Sequence, residues 1–134
     1  MKNPSLVDFI KVLQKSWSAT TSYESDENWS PENPARGQCV VSSLVVQDYF
    51  GGDIVRYAVT GEGIDETHYF NVLDDGTLID TTRSQYKDKK ISMVEKPIDL
   101  EKNNFSSVRE RCLADKEANY RYGILKERVK ALID

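Results

Sequence analysis

The sequence predicts a single α+β domain over residues 1–134, with N-terminal and central helices packed on a small antiparallel sheet and C-terminal helices after it. Three observations predict this class: helix-spaced apolar residues near the start, short alternating segments separated by glycine turns in the middle, and a second helical pattern at the end. At 134 residues, 39% hydrophobic and 30% charged, the chain is long enough for one core and ordinary for a globular protein.

The first element is an amphipathic helix predicted over residues 4–16. Asn3 is placed as its N-cap, and Pro4 occupies the first helical position, where its missing N–H costs nothing. Apolar residues at helical spacing form its buried stripe: Leu6, Phe9, Ile10, Leu13 and Trp17. Residues 18–36 are polar and carry two prolines, so they predict an irregular loop, of a length that is usually functional.

A strongly apolar second helix is predicted over residues 38–49. Its valines would also suit a strand, but the apolar positions continue to Gly51-Gly52, which is a helix stop. Because apolar residues lie on most of its sides, this helix should be largely buried.

Three strands are predicted next, at Ile54–Thr60, Thr67–Leu73 and Thr77–Thr82, and a weaker one at Ile91–Glu95. Glycine turns separate the first three strands. Toward the end, Ser106 or Ser107 is placed as the cap of a short helix carrying Cys112. A last helix is predicted from Lys116 to Ile133.

The turn between the second and third strands decides which side chains share a face. A two-residue Asp75-Gly76 turn would place Asp80 opposite Asn71, on the face away from His68. A three-residue Asp74-Asp75-Gly76 loop would place Asp80 opposite Phe70, on the face of His68. The three-residue loop is favoured, because aspartate suits a turn and glycine adopts positive φ without steric cost.

Three residues are candidates for catalysis: Cys39, His68 and Asp80. Cys39 opens the second helix, where unpaired N–H groups and the helix dipole favour a thiolate. His68, the only histidine, could deprotonate Cys39 and later protonate a leaving group. Asp80 would orient the histidine ring. The structural alternatives are a buried cysteine, a histidine bonded to backbone and a strand-end aspartate bonded to Thr82 or Arg83.

Three further residues are candidates for the oxyanion and substrate site. Gly37 would let a substrate carbonyl approach the backbone, and Gln38 could donate to an oxyanion or satisfy the loop backbone. Trp29 lies in a polar, proline-bearing loop, where a core role is hard to explain, so it is a candidate wall of a substrate cleft.

Longer motifs resemble the YunG-like family of bacterial proteins. They comprise Trp17-Ser18-x-x-Thr21-Ser22, Asn33-Pro34-x-x-Gly37-Gln38-Cys39, Val45-Val46-Gln47-Asp48-Tyr49-Phe50-Gly51-Gly52, His68-Tyr69-Phe70-Asn71, Asp80-x-Thr82-Arg83-x-Gln85-Tyr86 and Arg121-Tyr122-x-x-Leu125-x-x-Arg128-Val129. They cover most of the chain. The resemblance supplies a family and implies no particular reaction.

The order Cys39, His68, Asp80 is also similar to papain-like and transglutaminase-like proteins. That similarity implies a hydrolase or acyltransferase acting on an amide bond, such as a peptidase, amidase or deamidase, with a peptide or other amide as substrate. One departure concerns the oxyanion donor: the papain pattern has its glutamine several residues before the cysteine, whereas Gln38 is adjacent to Cys39. The alternative function is a non-enzymatic protein-binding module on the same fold, with a vestigial triad.

Composition argues against several other classes. A net charge of −4 and the lack of a basic block disfavour nucleic-acid binding. One histidine and two distant cysteines lack zinc-ligand spacing, and no phosphate-binding glycine loop is present, so neither a metal nor a cofactor is expected. No signal peptide or membrane-spanning run is evident, which predicts a cytoplasmic protein with free thiols, although a Cys39–Cys112 bridge stays open.

Overall fold

The computed structural model describes residues 3–23 and 28–134, which form four α-helices and a four-stranded antiparallel sheet. The predicted α+β class with a small antiparallel sheet is therefore confirmed. The helices are α1 (Leu6–Lys15), α2 (Cys39–Phe50), α3 (Val108–Ala114) and α4 (Lys116–Ile133). Two short 3₁₀ helices lie at Ala19–Thr21 and Arg83–Tyr86.

Helix ends follow local capping chemistry. At the start of α1 the prediction was wrong by two residues: Ser5, not Asn3, is the N-cap, and its hydroxyl accepts from Asp8 N. Ser107 caps α3 in the same way, and the Asp115 carboxylate caps α4 by accepting from Glu117 N and Ala118 N.

The core lies where α2 meets the other helices and one face of the sheet. Leu44, Val45 and Val46 of α2 are fully buried, as are Leu125 and Val129 of α4. This burial explains why α2 is apolar around most of its circumference. The remaining core side chains come chiefly from α1 and the sheet and include Phe9, Leu13, Trp17, Ile54 and Ile79.

The sheet has the strand order β3-β2-β1-β4. Its strands are β1 (Asp53–Gly61), β2 (Ile64–Val72), β3 (Leu78–Ile79) and β4 (Ser92–Glu95). β3 is much shorter than the predicted strand Thr77–Thr82, because the chain leaves the sheet after Ile79 and turns into the 3₁₀ helix Arg83–Tyr86. Since β3 pairs only with Asn71 and Val72, no strand of the described residues lies beside the edge of β2 from Ile64 to Phe70 on that side.

The β2–β3 connection is the predicted three-residue loop. Leu73 N donates to Thr77 O at 2.9 Å, Gly76 N donates to Leu73 O at 2.9 Å, and Gly76 has φ +88°. Asn71 pairs with Ile79 and Val72 with Leu78, a register that places Asp80 across from Phe70. The position of Asp80 therefore follows from the length of this loop.

Candidate active site

Cys39 is the first residue of α2, with Gln38 as the N-cap. The backbone N–H groups of the first helical turn have no partners within the helix, and the helix dipole is positive at this end. The Cys39 side chain is partly exposed, and both Cys39 and Cys112 are free thiols. The location thus combines access with an electropositive backbone, which suits a thiolate.

His68 and Asp80 are in direct contact. The His68 ring is fully buried, and its Nε2 lies 2.9 Å from both Oδ1 and Oδ2 of Asp80. Successive residues of a strand point to opposite faces, and the three-residue loop is what brings Asp80 to the His68 face. The carboxylate fixes the ring orientation and leaves Nδ1 free to face another group.

The Cys39 side chain also influences the His68 ring. Burial is the largest single influence on the pKa of His68 and lowers it, but the hydrogen bonds and negative charges of Asp80 and Cys39 together outweigh burial. The pKa of His68 is raised from 6.5 to about 9. The raised pKa favours the imidazolium form of the ring at neutral pH.

A cleft of about 410 Å³ opens over Cys39. Its lining includes Glu66, Thr67 and Tyr69 of β2. Because Glu66 and Thr67 point to opposite faces of the sheet, the cleft lies over the unpaired edge of β2. Cys39 lines this cleft, whereas His68 is fully buried and is not part of the lining.

Gly37, Gln38 and Trp29 occupy different environments. Gly37 lines the cleft with φ +76°, a conformation that a residue with a side chain would adopt only with strain. Gln38 is fully buried, and its amide accepts from Thr21 Oγ1 at 2.8 Å and donates to Ser18 O at 3.0 Å. These bonds give Gln38 a positioning role at the base of the helix.

Trp29 lies apart from the cleft lining. Its Nε1 donates to Pro34 O at 3.0 Å, which ties the tryptophan to its own loop. Residues 24–27 of this loop lie outside the described residues. In the rest of the segment 18–36, the predicted irregular loop is interrupted by the 3₁₀ helix Ala19–Thr21.

Gln85 is the site residue that sequence reasoning missed. It lines the cleft, is only 6% exposed, and its Nε2 lies 3.4 Å from His68 Nδ1 and 3.3 Å from Thr82 Oγ1. Arg36 Nη1 donates to its Oε1 at 3.3 Å. Gln85 belongs to the segment Asp80-x-Thr82-Arg83-x-Gln85-Tyr86, so the signal was in the motif, but its proximity to Cys39 depends on the 3₁₀ helix folding back.

Within residues 3–23 and 28–134, no group of three or more His, Cys, Asp or Glu side chains could hold a metal ion. Across the same ranges, none of the helices has the length and apolar character needed to cross a membrane.

Comparisons with known proteins give a family. A family model described as YunG protein matches residues 5–134. A relative from Bacillus subtilis (strain 168), named "Uncharacterized protein YunG", is 38% identical over 77 residues, or 57% of this chain. The matched region spans 58% of the relative's length. No solved structure matches the chain.

Proposed function

The chain belongs to the YunG family, and we propose that it is a cysteine-nucleophile hydrolase or acyltransferase that acts on an amide bond. One observation carries the proposal: the buried His68 ring is held by Asp80 at 2.9 Å, and its pKa is raised by Asp80 and by Cys39, which opens α2 in a cleft. A nucleophile, a base beside it and a group that orients the base form the arrangement required for nucleophilic catalysis.

The proposed reaction begins with the Cys39 thiolate and the His68 imidazolium as an ion pair. The sulfur attacks the amide carbonyl, and the C–N bond breaks as His68 transfers its proton to the leaving amine. The product on the enzyme is a thioester. Neutral His68 then takes a proton from water or from an acceptor amine, which attacks the thioester and releases Cys39.

Two donors are proposed for the oxyanion that forms during attack. The backbone N–H of Cys39 lies at the helix start, where no intrahelical bond uses it. The second donor is Gln85 Nε2 in place of the predicted Gln38, because Gln85 lines the cleft whereas Gln38 is fully buried beneath the loop before α2.

The proposal includes a more specific assignment of the fold within the α+β class. A papain-like or transglutaminase-like relationship is supported by a cysteine at a helix start, followed by a histidine and an aspartate at neighbouring strands. Peptidase, amidase and deamidase chemistry all use such a site. We place the reaction in the cytoplasm, where a catalytic thiol stays reduced.

Alkylation of Cys39 by iodoacetamide tests the proposal. At pH 6 we expect wild-type Cys39 to react about tenfold faster than Cys39 in His68→Ala, because an ordinary thiol is almost fully protonated there. Cys112 is an internal control, since burial raises the pKa of its thiol to about 11 and it should stay unmodified in the folded protein. Tryptic peptides separate the two cysteines, so mass spectrometry gives both rates.

The contrary outcome is a Cys39 alkylation rate that equals the rate of an ordinary thiol and is unchanged in His68→Ala.

Catalysis itself is tested by measuring turnover on a library of peptide amides, with Cys39→Ser as the inactive control.

The competing function is a non-enzymatic binding module. It is favoured by a second cleft of about 380 Å³ that shares Tyr23 and Arg121 with the first and is lined by the exposed Tyr120. Cys39→Ala separates the two proposals, because a binding module keeps its partner after this change whereas an enzyme loses turnover.

A further inference from the structure

Three arginines line the cleft that holds Cys39: Arg36, Arg111 and Arg121. Two acidic residues, Glu66 and Asp115, line it as well. Whether each arginine is already paired with a carboxylate decides how much positive charge the cleft offers to a substrate.

Arg36 already has a protein partner. Its Nη1 lies 2.8 Å from Glu66 Oε2, and both side chains are about 70% buried, with 31% and 29% of their surface exposed. A paired guanidinium and carboxylate offer little net charge to a third group. Arg36 and Glu66 are therefore assigned to the wall of the cleft.

Arg121 has hydrogen-bonding capacity left over. Its side chain is 13% exposed, and its Nε is buried without a hydrogen-bond partner. Its ion pair with Glu117 is long at 3.8 Å, and the Glu117 side chain is 89% exposed, so solvent weakens it. The guanidinium lies over the Tyr23 ring, 5.7 Å from the centroid, which holds it at the cleft.

Arg111 is half-buried beside Cys112 on α3. In the part of the chain that the structure describes, no hydrogen bond or ion pair joins its guanidinium to another group. Asp115, the remaining acid of the lining, uses Oδ1 to cap α4. Arg111, and Arg121 with only its long, solvent-exposed ion pair to Glu117, thus lie in the cleft of the nucleophile.

We propose that the substrate carries a carboxylate near its reactive amide, and that Arg111 and Arg121 bind this carboxylate. The inference rests on the proposed function, because it assigns the substrate class of the same cleft. A guanidinium presents paired N–H donors that match a carboxylate, and it binds more strongly where water is partly excluded. The adjoining cleft beyond Arg121 gives room for neighbouring residues, so the substrate is an anionic peptide.

Two alkylating reagents test the anion site directly. Iodoacetate and iodoacetamide are nearly isosteric, and only iodoacetate carries a carboxylate. We expect the ratio of their rates at Cys39, iodoacetate over iodoacetamide, to fall about fivefold in the double variant Arg111→Gln, Arg121→Gln. The iodoacetamide rate should stay within about twofold of wild type, which also shows that the variant is folded.

Lys130→Gln is the matched control, because it removes one positive charge from an exposed position on α4. Its rate ratio should equal that of wild type. An unchanged ratio in the double variant overturns the proposal, and so does an equal fall in Lys130→Gln, which would indicate only a long-range field. Failure of the proposed function is seen separately, as an iodoacetamide rate that does not depend on His68.

Protection of Cys39 from iodoacetamide identifies the source of the carboxylate. N-acetylglutamate α-amide carries only a side-chain carboxylate, N-acetylglutamine only a terminal one, and N-acetylglutamine amide carries neither. The anion site is supported if N-acetylglutamate α-amide or N-acetylglutamine protects Cys39 better than the neutral compound does, and if this advantage is lost in the double variant. The compound that protects better shows which carboxylate the site binds. Equal protection by all three compounds at millimolar concentration overturns it.

Discussion

At the scale of single residues, the charge on His68 is set by two opposing influences. The ring is fully buried, which disfavours the imidazolium, but bonds to Asp80 and Cys39 favour it and raise the pKa to about 9. The positive charge on the buried His68 ring at neutral pH depends on both Asp80 and Cys39. Removing either partner should therefore be visible in the titration of the ring.

The first prediction concerns Asp80→Asn. Asparagine keeps the size of the side chain but removes the negative charge, so the pKa of His68 should fall from about 9 to 6.5 or lower, because burial remains. His68 is the only histidine, so its ring protons give unambiguous NMR signals through a pH titration. Asp75→Asn, in the exposed β2–β3 loop, is the control and should leave the midpoint unchanged.

The same variant predicts how stability depends on pH. A histidine whose folded pKa is raised stabilises the protein fully below its unfolded pKa of 6.5, and this contribution is lost as pH rises through about 9. We expect Asp80→Asn to cost about 2 kcal/mol at pH 6 and much less at pH 10. Urea unfolding at the two pH values measures this, and a difference that is constant with pH would contradict the assigned cause.

The predictability of the individual site residues differed for a physical reason. The position of Cys39 could be predicted from the local signals of a helix start. The positions of His68 and Asp80 could be predicted from the alternation of side chains along the strands and from the length of the turn between them. Gln38 and Gln85 are both glutamines near candidate residues, and only long-range contacts separate their roles. The hydrogen bond of the buried Gln38 with Thr21 and the place of Gln85 in the cleft lining arise from packing that no local pattern encodes.

At the scale of secondary structure elements, the β2–β3 loop has the largest consequence for the site. Most element positions were predictable because caps, glycines and apolar spacing act locally; α4 begins and ends at the predicted residues. β3 was overestimated because the β-branched residues of Thr77–Thr82 favour a strand locally, whereas the chain turns at Thr81 and Thr82 into the 3₁₀ helix. The register was predictable because three loop residues leave Asp80 only one face.

The second prediction concerns deletion of Thr77, the residue that closes the β2–β3 loop opposite Leu73. Because the three-residue loop keeps its own turn geometry, β3 should shift by one residue, turn Asp80 away from His68 and turn the buried Ile79 outward. We expect a stability loss of about 2 kcal/mol from Ile79 and a Cys39 alkylation rate at pH 6 close to that of His68→Ala. Circular dichroism, unfolding curves and the His68 titration measure these effects.

Gly76→Ala is the control, because it changes the loop without removing a residue. At φ +88° it should cost about 1 kcal/mol, while open space around the new methyl group leaves the register intact. The His68 pKa should then stay near 9. A folded deletion variant that also keeps the raised pKa would contradict the link between strand register and site.

At the scale of the whole molecule, one arginine joins the helices behind the site. Arg109 of α3 donates to Gln47 Oε1 at 3.1 Å and to Asp48 Oδ1 at 2.7 Å in α2, and to Tyr122 Oη at 2.9 Å in α4. The Tyr122 hydroxyl in turn donates to Asp48 Oδ2 at 2.5 Å. This cluster fixes the C-terminal half of the helix whose other end carries Cys39.

The third prediction is that Arg109→Met lowers the free energy of unfolding by about 3 kcal/mol, because it leaves the Asp48 carboxylate, 18% exposed, without its cation. Asp48→Asn should restore part of this loss, so a double-mutant cycle in urea should give a coupling of about 1–2 kcal/mol. Arg83→Met, at an exposed arginine outside the cluster, is the control and should change stability by less than about 0.5 kcal/mol. A coupling near zero would mean that apolar packing alone holds the three helices together, and the orientation of Cys39 would then depend on the core around Leu44 and Leu125.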